Sequence, residues 1–140
     1  MVKVNFLPCN SVIKTLKYAV IVTRYYNRWV LVKHKERSSW EIPAGRKEAH
    51  ETIEETAHRE LFEETGAIVY DLKPITIYSV EIEGVVSYGK LFFADVLKFY
   101  VLPESEIEKI EFFEEFPENL TYPLIQRTLL EKVKSTLGLE

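Results

Sequence analysis

Apolar and polar positions alternate along this chain with two distinct periods. From Lys17 to Thr23 both alternating sets are apolar, with Tyr18, Val20 and Val22 on one side and Ala19 and Ile21 on the other. A strand with two apolar faces is a central strand covered on both sides. Tyr26-Asn27-Arg28 then reads as a turn into a second strand, Trp29-Val30-Leu31-Val32. A loop follows through Trp40-Glu41-Ile42-Pro43-Ala44-Gly45. From about Thr52 to Thr65 the period lengthens, and Ile53, Ala57 and Leu61 fall at i, i+4 and i+8 of a helix. Gly66 stands where a left-handed helix cap belongs. Ile75 to Ile82 and Val85 to Val96 predict two more strands, with Gly84 at the turn between them. A second helix starts near Thr121, tolerates Pro123 in its first turn, and carries the stripe Ile125, Leu129, Val133, Leu137. Strands broken by one mid-chain helix and closed by a C-terminal one predict an α/β sandwich in a single domain, residues 1–140. The strand–helix alternations are too few for a doubly wound sheet.

Composition agrees with a folded domain: 46% of residues are apolar and 13% aromatic, enough for a real core without staples. The single cysteine, Cys9, has no internal partner and reads as an inert, partly buried thiol. No signal peptide or membrane-length apolar run is present, which points to the cytoplasm. No basic patch interleaves with aromatics, so DNA binding is not expected. The net charge of −4 conceals an uneven distribution. Residues 1–40 hold eight Lys/Arg against the lone acid Glu36, while seven glutamates lie from Glu48 to Glu64 and seven more from Glu104 to Glu118. That asymmetry suits either an unevenly charged surface or a site where protein cations and bound metals share a polyanion.

The helix narrows the choice. Glu60, Glu63 and Glu64 lie at i, i+3 and i+4, so at ~100° per residue they emerge from one face within one turn. Like charges at that spacing repel by about 0.2–0.5 kcal/mol per pair, and the last turn is where the helix dipole disfavours anions. Such a placement is either a solvent-facing acidic helix or one that calls for a cation, for which hard oxygen donors suit Mg²⁺ or Mn²⁺. The phosphate-cradling loops G-x-G-x-x-G and G-x-x-x-x-G-K-[ST] are both missing from the chain.

Gly45, Glu51, Arg59, Glu60, Leu61, Glu63, Glu64 and Gly66 fall on a glycine, five residues, Glu, seven residues, then R-E-(aliphatic)-x-E-E-x-G-(aliphatic). This resembles the Nudix box of the MutT/Nudix hydrolases without insertions, and Trp40 to Gly45 is similar to its W-E-(aliphatic)-P-[GA]-G approach. One departure is Ala67, where a larger aliphatic residue is usual; Ile68 follows it. The resemblance implies a Nudix-type α/β/α sandwich, with a mixed, partly curled sheet between the box helix and the C-terminal helix. It implies a hydrolase of phosphoric anhydride bonds dependent on Mg²⁺ or Mn²⁺. By the same resemblance Glu60 and Glu64 are the main metal ligands, with Glu63 a further one and the Gly45 carbonyl another. Arg59 orients the carboxylates and Glu51 supports the loop–helix junction.

The proton acceptor in such enzymes is either a box Glu (Glu63 or Glu64) or a Glu from a later loop. Within Glu104-Ser105-Glu106-Ile107-Glu108 the expected residue is Glu106, with Glu104 and Glu108 as alternates; a solvated acidic loop is the other reading. Lys33 is a candidate phosphate ligand or a surface lysine. Asn119, in Phe116-Pro117-Glu118-Asn119, matches a purine-reading Asn of MutT-like enzymes or serves as a turn residue. His34, His50 and His58 are expected at the surface without a catalytic role.

Three activities compete under this resemblance. The first is pyrophosphohydrolysis of a purine nucleoside triphosphate of the 8-oxo-dGTP type, giving monophosphate and pyrophosphate. The second is cleavage of ADP-ribose, a dinucleotide polyphosphate or a triphosphorylated RNA 5′ end. The third is non-catalytic ligand sensing, which the intact Glu63-Glu64 pair opposes. Pro43-Ala44-Gly45 leans towards ADP-ribose, but Glu83 stands where ADP-ribose enzymes carry a proline. The expected partner is a small nucleotide, with no membrane, and the chain is expected as a monomer or homodimer.

Overall fold

A strand with no polar face organises this molecule. In β2 (Leu16–Tyr25), Ala19 and Ile21 join one apolar cluster with Ile53, Ala57 and Leu61, while Val20 and Val22 join another with Leu129, Leu130 and Val133. The computed structural model describes residues 1–13 and 15–139 and places one helix on each side of a seven-stranded sheet. The other elements are β1 (Val2–Leu7), β3 (Arg28–His34), β4 (Ala44–Arg46), α1 (Ile53–Thr65), β5 (Ala67–Ile82), β6 (Val85–Phe99), β7 (Ile107–Phe113) and α2 (Pro123–Leu137). The order is β1-β5-β6-β2-β3-β7, with β4 attached to β2 off this path. The sheet is mixed and mostly open: β2 and β6 run parallel and every other named pair is antiparallel.

One edge of β2 is divided between two partners. Thr23 to Tyr25 pair with Val30 to Arg28 of β3, whereas Tyr18 to Val20 pair with Arg46 to Ala44 of β4. Beyond Val30, β3 leaves β2 and pairs along its length with β7. The sheet therefore splits, and Ala44–Arg46 enters at the split, held where Ile21 N–H donates to the Pro43 carbonyl at 2.9 Å. The segment expected to be a loop thus ends in a short strand, Ala44–Arg46, which sets Gly45 against α1.

The ends of α1 are well specified. Thr52 accepts from Glu55 N–H at 3.1 Å while the Glu55 carboxylate accepts from Thr52 N–H at 2.8 Å, a reciprocal capping box. Gly66 closes the helix at φ 79° and donates its N–H to the Phe62 carbonyl at 2.8 Å, as its position in the sequence predicted. The turn at Tyr26-Asn27 has positive φ at both residues, as a tight hairpin between right-twisted strands demands.

Three differences from the expected elements have physical reasons. β5 begins at Ala67 rather than Ile75, because register shifts between Ala67 and Val69 and again near Pro74 let the strand continue through residues that break its alternation. β7 begins within the last two residues of the segment read as acidic loop, Ile107 and Glu108, and runs on to Phe113; as an edge strand it keeps Glu108, Lys109 and Glu111 exposed. Cys9 is exposed rather than partly buried. Among the described residues, no helix is long and apolar enough to cross a membrane.

Candidate active site

Helix α1 and β4 face each other across a cavity of about 560 Å³ lined by His34, Gly45, Glu60, Glu63, Glu64, Glu106 and others. Glu64 lies at its inner end and accepts from Ala44 N–H at 3.0 Å. Burial pushes its carboxyl up to about 8, and the nearby Glu60, Glu41 and Glu106 charges add to the rise against the Ala44 bond. Burial likewise raises Glu60 to about 7, with Glu63 adding and Arg59 opposing. Gly45 has no side chain for a steric reason: any Cβ there would overlap the Glu60 carboxylate. The Gly45 backbone and that carboxylate are close, so a side chain at position 45 would displace Glu60 from the cavity.

Arg59 is the cation that orders this acidic helix. Its Nε donates to Glu51 Oε2 at 2.5 Å and its Nη2 to Glu51 Oε1 at 3.0 Å, a two-pronged pair. Its Nη1 reaches Glu60 at 3.3 Å and Glu63 at 3.2 Å, and its Nη2 also donates to the Arg46 carbonyl at 3.1 Å. The Arg59 guanidinium pulls the Glu51 carboxyl down to about 2. Glu51 also accepts from Glu48 N–H and the Thr56 hydroxyl. Its place is therefore the loop–helix junction, as the box resemblance implied.

Among the described residues, the one acidic group whose ligand atoms all lie within 4.8 Å of one another is Glu48, His50 and Glu51. Both oxygens of Glu51 are committed to Arg59, which leaves that trio poorly suited to a metal. The box carboxylates share the cavity but are drawn to separate partners, Glu64 to Ala44 N–H and Glu60 and Glu63 to Arg59. Their chemistry still fits a hard divalent cation, because Glu60 and Glu64, both raised by burial and by neighbouring carboxylates, relax when a cation enters.

The later acidic segment sorts itself by partners. Glu104 is paired with Lys35 at 3.4 Å and Glu108 with Lys33 at 2.8 Å. Glu106 alone of the three lines the carboxylate cavity. Lys33, expected either on a phosphate or at the surface, is engaged by Glu108 and lines none of the three cavities. Its neighbour His34 lines the carboxylate cavity instead, and the β3–β7 register shifts between the two residues. The His34 Nε2 stands 3.5 Å from Glu41 and its Nδ1 4.0 Å from Glu106, contrary to the expected idle surface histidine. His50 is exposed and His58 bonds Tyr70 at 2.6 Å, both away from the carboxylates of α1's last turn.

A second cavity of about 480 Å³ adjoins the first, and the two share His34, Ala44, Gly45 and Arg46. Its walls are largely apolar and aromatic, with Tyr18, Val20, Tyr78, Tyr122, Ile125 and Leu129 among them. Gly89 makes room for one wall, because a Cβ there would overlap the Tyr78 ring. Asn119 is not part of it. The Asn119 amide donates to the Ser38 carbonyl at 3.2 Å and its own carbonyl accepts from Trp40 N–H, so it fastens the loop before β4. The residue expected to read a purine therefore stands outside the aromatic cavity, on the turn reading of its position. Arg46 went unnoticed in the sequence because the box leaves its position free; it stacks on Tyr18 with its guanidinium 5.6 Å from the ring centre.

The NUDIX domain family matches residues 14–128, and the chain belongs to that family. Its members are hydrolases acting on phosphoric anhydride bonds. YtkD of Bacillus subtilis (strain 168), a candidate 8-oxo-dGTP diphosphatase, is 36% identical over 110 residues, covering 75% of this chain and 66% of YtkD. A candidate nudix hydrolase of Caenorhabditis elegans is 40% identical over 60 residues, 43% of this chain and 16% of that protein. This chain thus matches just under two thirds of the first relative's length and a small part of the second. The crystal structure of the Bacillus subtilis pyrophosphohydrolase BsRppH superposes with a TM-score of 0.82 at 28% identity, covering 99% of this chain and 93% of that one.

Proposed function

We propose that this chain is a Mg²⁺- or Mn²⁺-dependent pyrophosphohydrolase of purine nucleoside triphosphates, giving a monophosphate and pyrophosphate. The observation that carries the reading is the junction of two unlike cavities at Gly45 and Arg46, one aromatic and one lined by carboxylates. A flat nucleobase suits the tyrosine-walled cavity and its phosphates the other. The relative YtkD, a candidate 8-oxo-dGTP diphosphatase, supports this substrate class over ADP-ribose.

Glu60 and Glu64, with Glu63 and the Gly45 carbonyl, would hold the cation. When bound, a divalent ion neutralises phosphate oxygens and acidifies a water for attack on phosphorus. Arg59 keeps Glu60 and Glu63 in the cavity and carries no phosphate itself, since carboxylates occupy its donors. Glu106 is the proton acceptor: it lines the cavity, and among the described residues no Lys or Arg lies within salt-bridge distance of it, the His34 imidazole standing 4.0 Å away.

Glu106→Gln is expected to lower kcat by about 10²–10³-fold, within the range for loss of a general base. Glu104→Gln and Glu108→Gln should each cost less than about threefold, since exposed pairs contribute little. Steady-state kinetics on the three variants decide the matter, and equal small effects would move the base to Glu63 or Glu64. For the substrate, purified protein is assayed with 8-oxo-dGTP, other purine and pyrimidine triphosphates, ADP-ribose, a dinucleoside polyphosphate and 5′-triphosphorylated RNA. The expected outcome is the highest kcat/KM on a purine triphosphate with release of pyrophosphate; a higher value on any other class rejects the proposed substrate.

A further inference from the structure

A third cavity of about 400 Å³ lies across the loop that follows Gly45, and its lining includes Thr15, Lys17, Arg46 and Lys47. It shares Arg46, Lys47 and Glu48 with the carboxylate cavity, and Arg46 borders all three cavities. The three spaces therefore meet at Arg46, with the acidic cavity sharing four lining residues with the aromatic one and three with the basic one. We infer that the basic cavity receives the outermost phosphate of the substrate, with Lys17 and Lys47 as its cationic ligands and Arg46 bridging from the acidic cavity. This subsite rests on the proposed reading of a nucleotide triphosphate and gives it a direction, base first and terminal phosphate last.

Most cations near the acidic cavity are already committed to carboxylates. Arg59, the guanidinium within the acidic cavity, is engaged by Glu51, Glu60 and Glu63. Lys33, Lys35, Arg37 and Lys90 are each paired with a glutamate. Among the described residues, no carboxylate lies within salt-bridge distance of Lys17, Arg46 or Lys47. Arg46 instead donates to the Tyr18 hydroxyl at 3.3 Å, and Lys47 donates to the Glu48 carbonyl at 3.2 Å. The Glu48 carboxylate on the shared rim lies 3.8 Å from both Arg59 and His50, so its charge is partly answered. A polyanion longer than the acidic cavity thus meets its first uncommitted protein cations at this rim. Cations so placed act on the last phosphate more than on those between the box carboxylates, because exposed charges are screened over about 10 Å at ordinary salt.

Lys17 is the informative position: it borders only the basic cavity, and its backbone carbonyl, which accepts from Lys47 N–H at 2.9 Å, is kept in any side-chain variant. Lys17→Gln and Lys17→Glu are compared with the unmodified protein on a purine nucleoside triphosphate and on the matching diphosphate, which ends one phosphate short. The expected result is a fall in triphosphate kcat/KM of about threefold for Lys17→Gln and about tenfold for Lys17→Glu, steeper at low salt, with diphosphate values within about twofold. Equal changes on both substrates, or none, overturn the subsite while leaving the triphosphate reading in place. A wild-type protein that cleaves neither nucleotide removes that reading instead. In that event the subsite is still judged by the thermal shift that inorganic tripolyphosphate with Mg²⁺ gives. Loss of the shift in Lys17→Glu upholds it, and an unchanged shift overturns it.

Discussion

Exchanging Glu64 for glutamine is expected to lower kcat by about 10³-fold while making the metal-free protein more stable at alkaline pH. The two effects share one cause. Burial raises this carboxyl to about 8, with Glu60, Glu41 and Glu106 adding like charge. A carboxyl whose folded pKa exceeds its unfolded value contributes stability that is complete below the unfolded value near 4.5 and is lost as pH rises through about 8. Glutamine keeps an acceptor for Ala44 N–H and removes the charge, so the variant escapes that loss. The gain at pH 9 should be about 1–3 kcal/mol, vanishing near pH 4. Denaturation followed in EDTA between pH 4 and 9 checks this, and adding Mg²⁺ at pH 8 should stabilise wild type more than Glu64→Gln. A variant that is less stable at pH 9, or that retains activity, would mean Glu64 is a structural residue.

Arg59→Lys is the second large effect, with kcat falling about 10²-fold although the charge is kept. A lysine has no planar fork to hold Glu51 through two bonds while still reaching Glu60 and Glu63. The carboxylates of the last turn would then move apart under their own repulsion. Stability should change in a different window from that of Glu64. Glu51, held down to about 2 by Arg59, contributes stability above the unfolded pKa and loses it as pH falls from 4.5 through about 2. The wild type should therefore lose stability on acidification more steeply than Arg59→Lys across that range. Paired pH titrations of unfolding with kinetics at pH 8 test both halves; a variant of normal kcat would show that Arg59 serves only the fold.

Much of this architecture was legible wherever a single face decided burial. The doubly apolar β2, the stripe of α1 and its Gly66 cap follow from spacing alone, and so does the crowding of Glu60, Glu63 and Glu64. What escaped were segments whose burial depends on partners remote in sequence. β7 is an exposed edge with charged side chains, and β4 is three residues long and exists because β2 offers it a free edge. The same reason explains why the surroundings of some candidate site residues could not be read from the sequence. Lys33 and His34 are adjacent on β3, and only the pairing with β7 decides which one faces Glu108 and which faces Glu106. Asn119 resembled a base reader by its neighbours in sequence, but contacts to residues 38–40 give it another task.

The two ends of α1 are built to very different strengths. Its first turn has a reciprocal cap and the acidic residues Glu54 and Glu55, which the helix dipole favours. Its last turn has no basic residue and carries Glu63 and Glu64 against the dipole. Local opening of this helix should therefore be graded along its length. Backbone amides near Ala57 and His58 should exchange slowly with solvent deuterium at all metal concentrations. Those from Phe62 to Gly66 should exchange readily in EDTA and slow by about tenfold or more once Mg²⁺ is added, so that the cation acts as the missing C-terminal counter-charge of the helix.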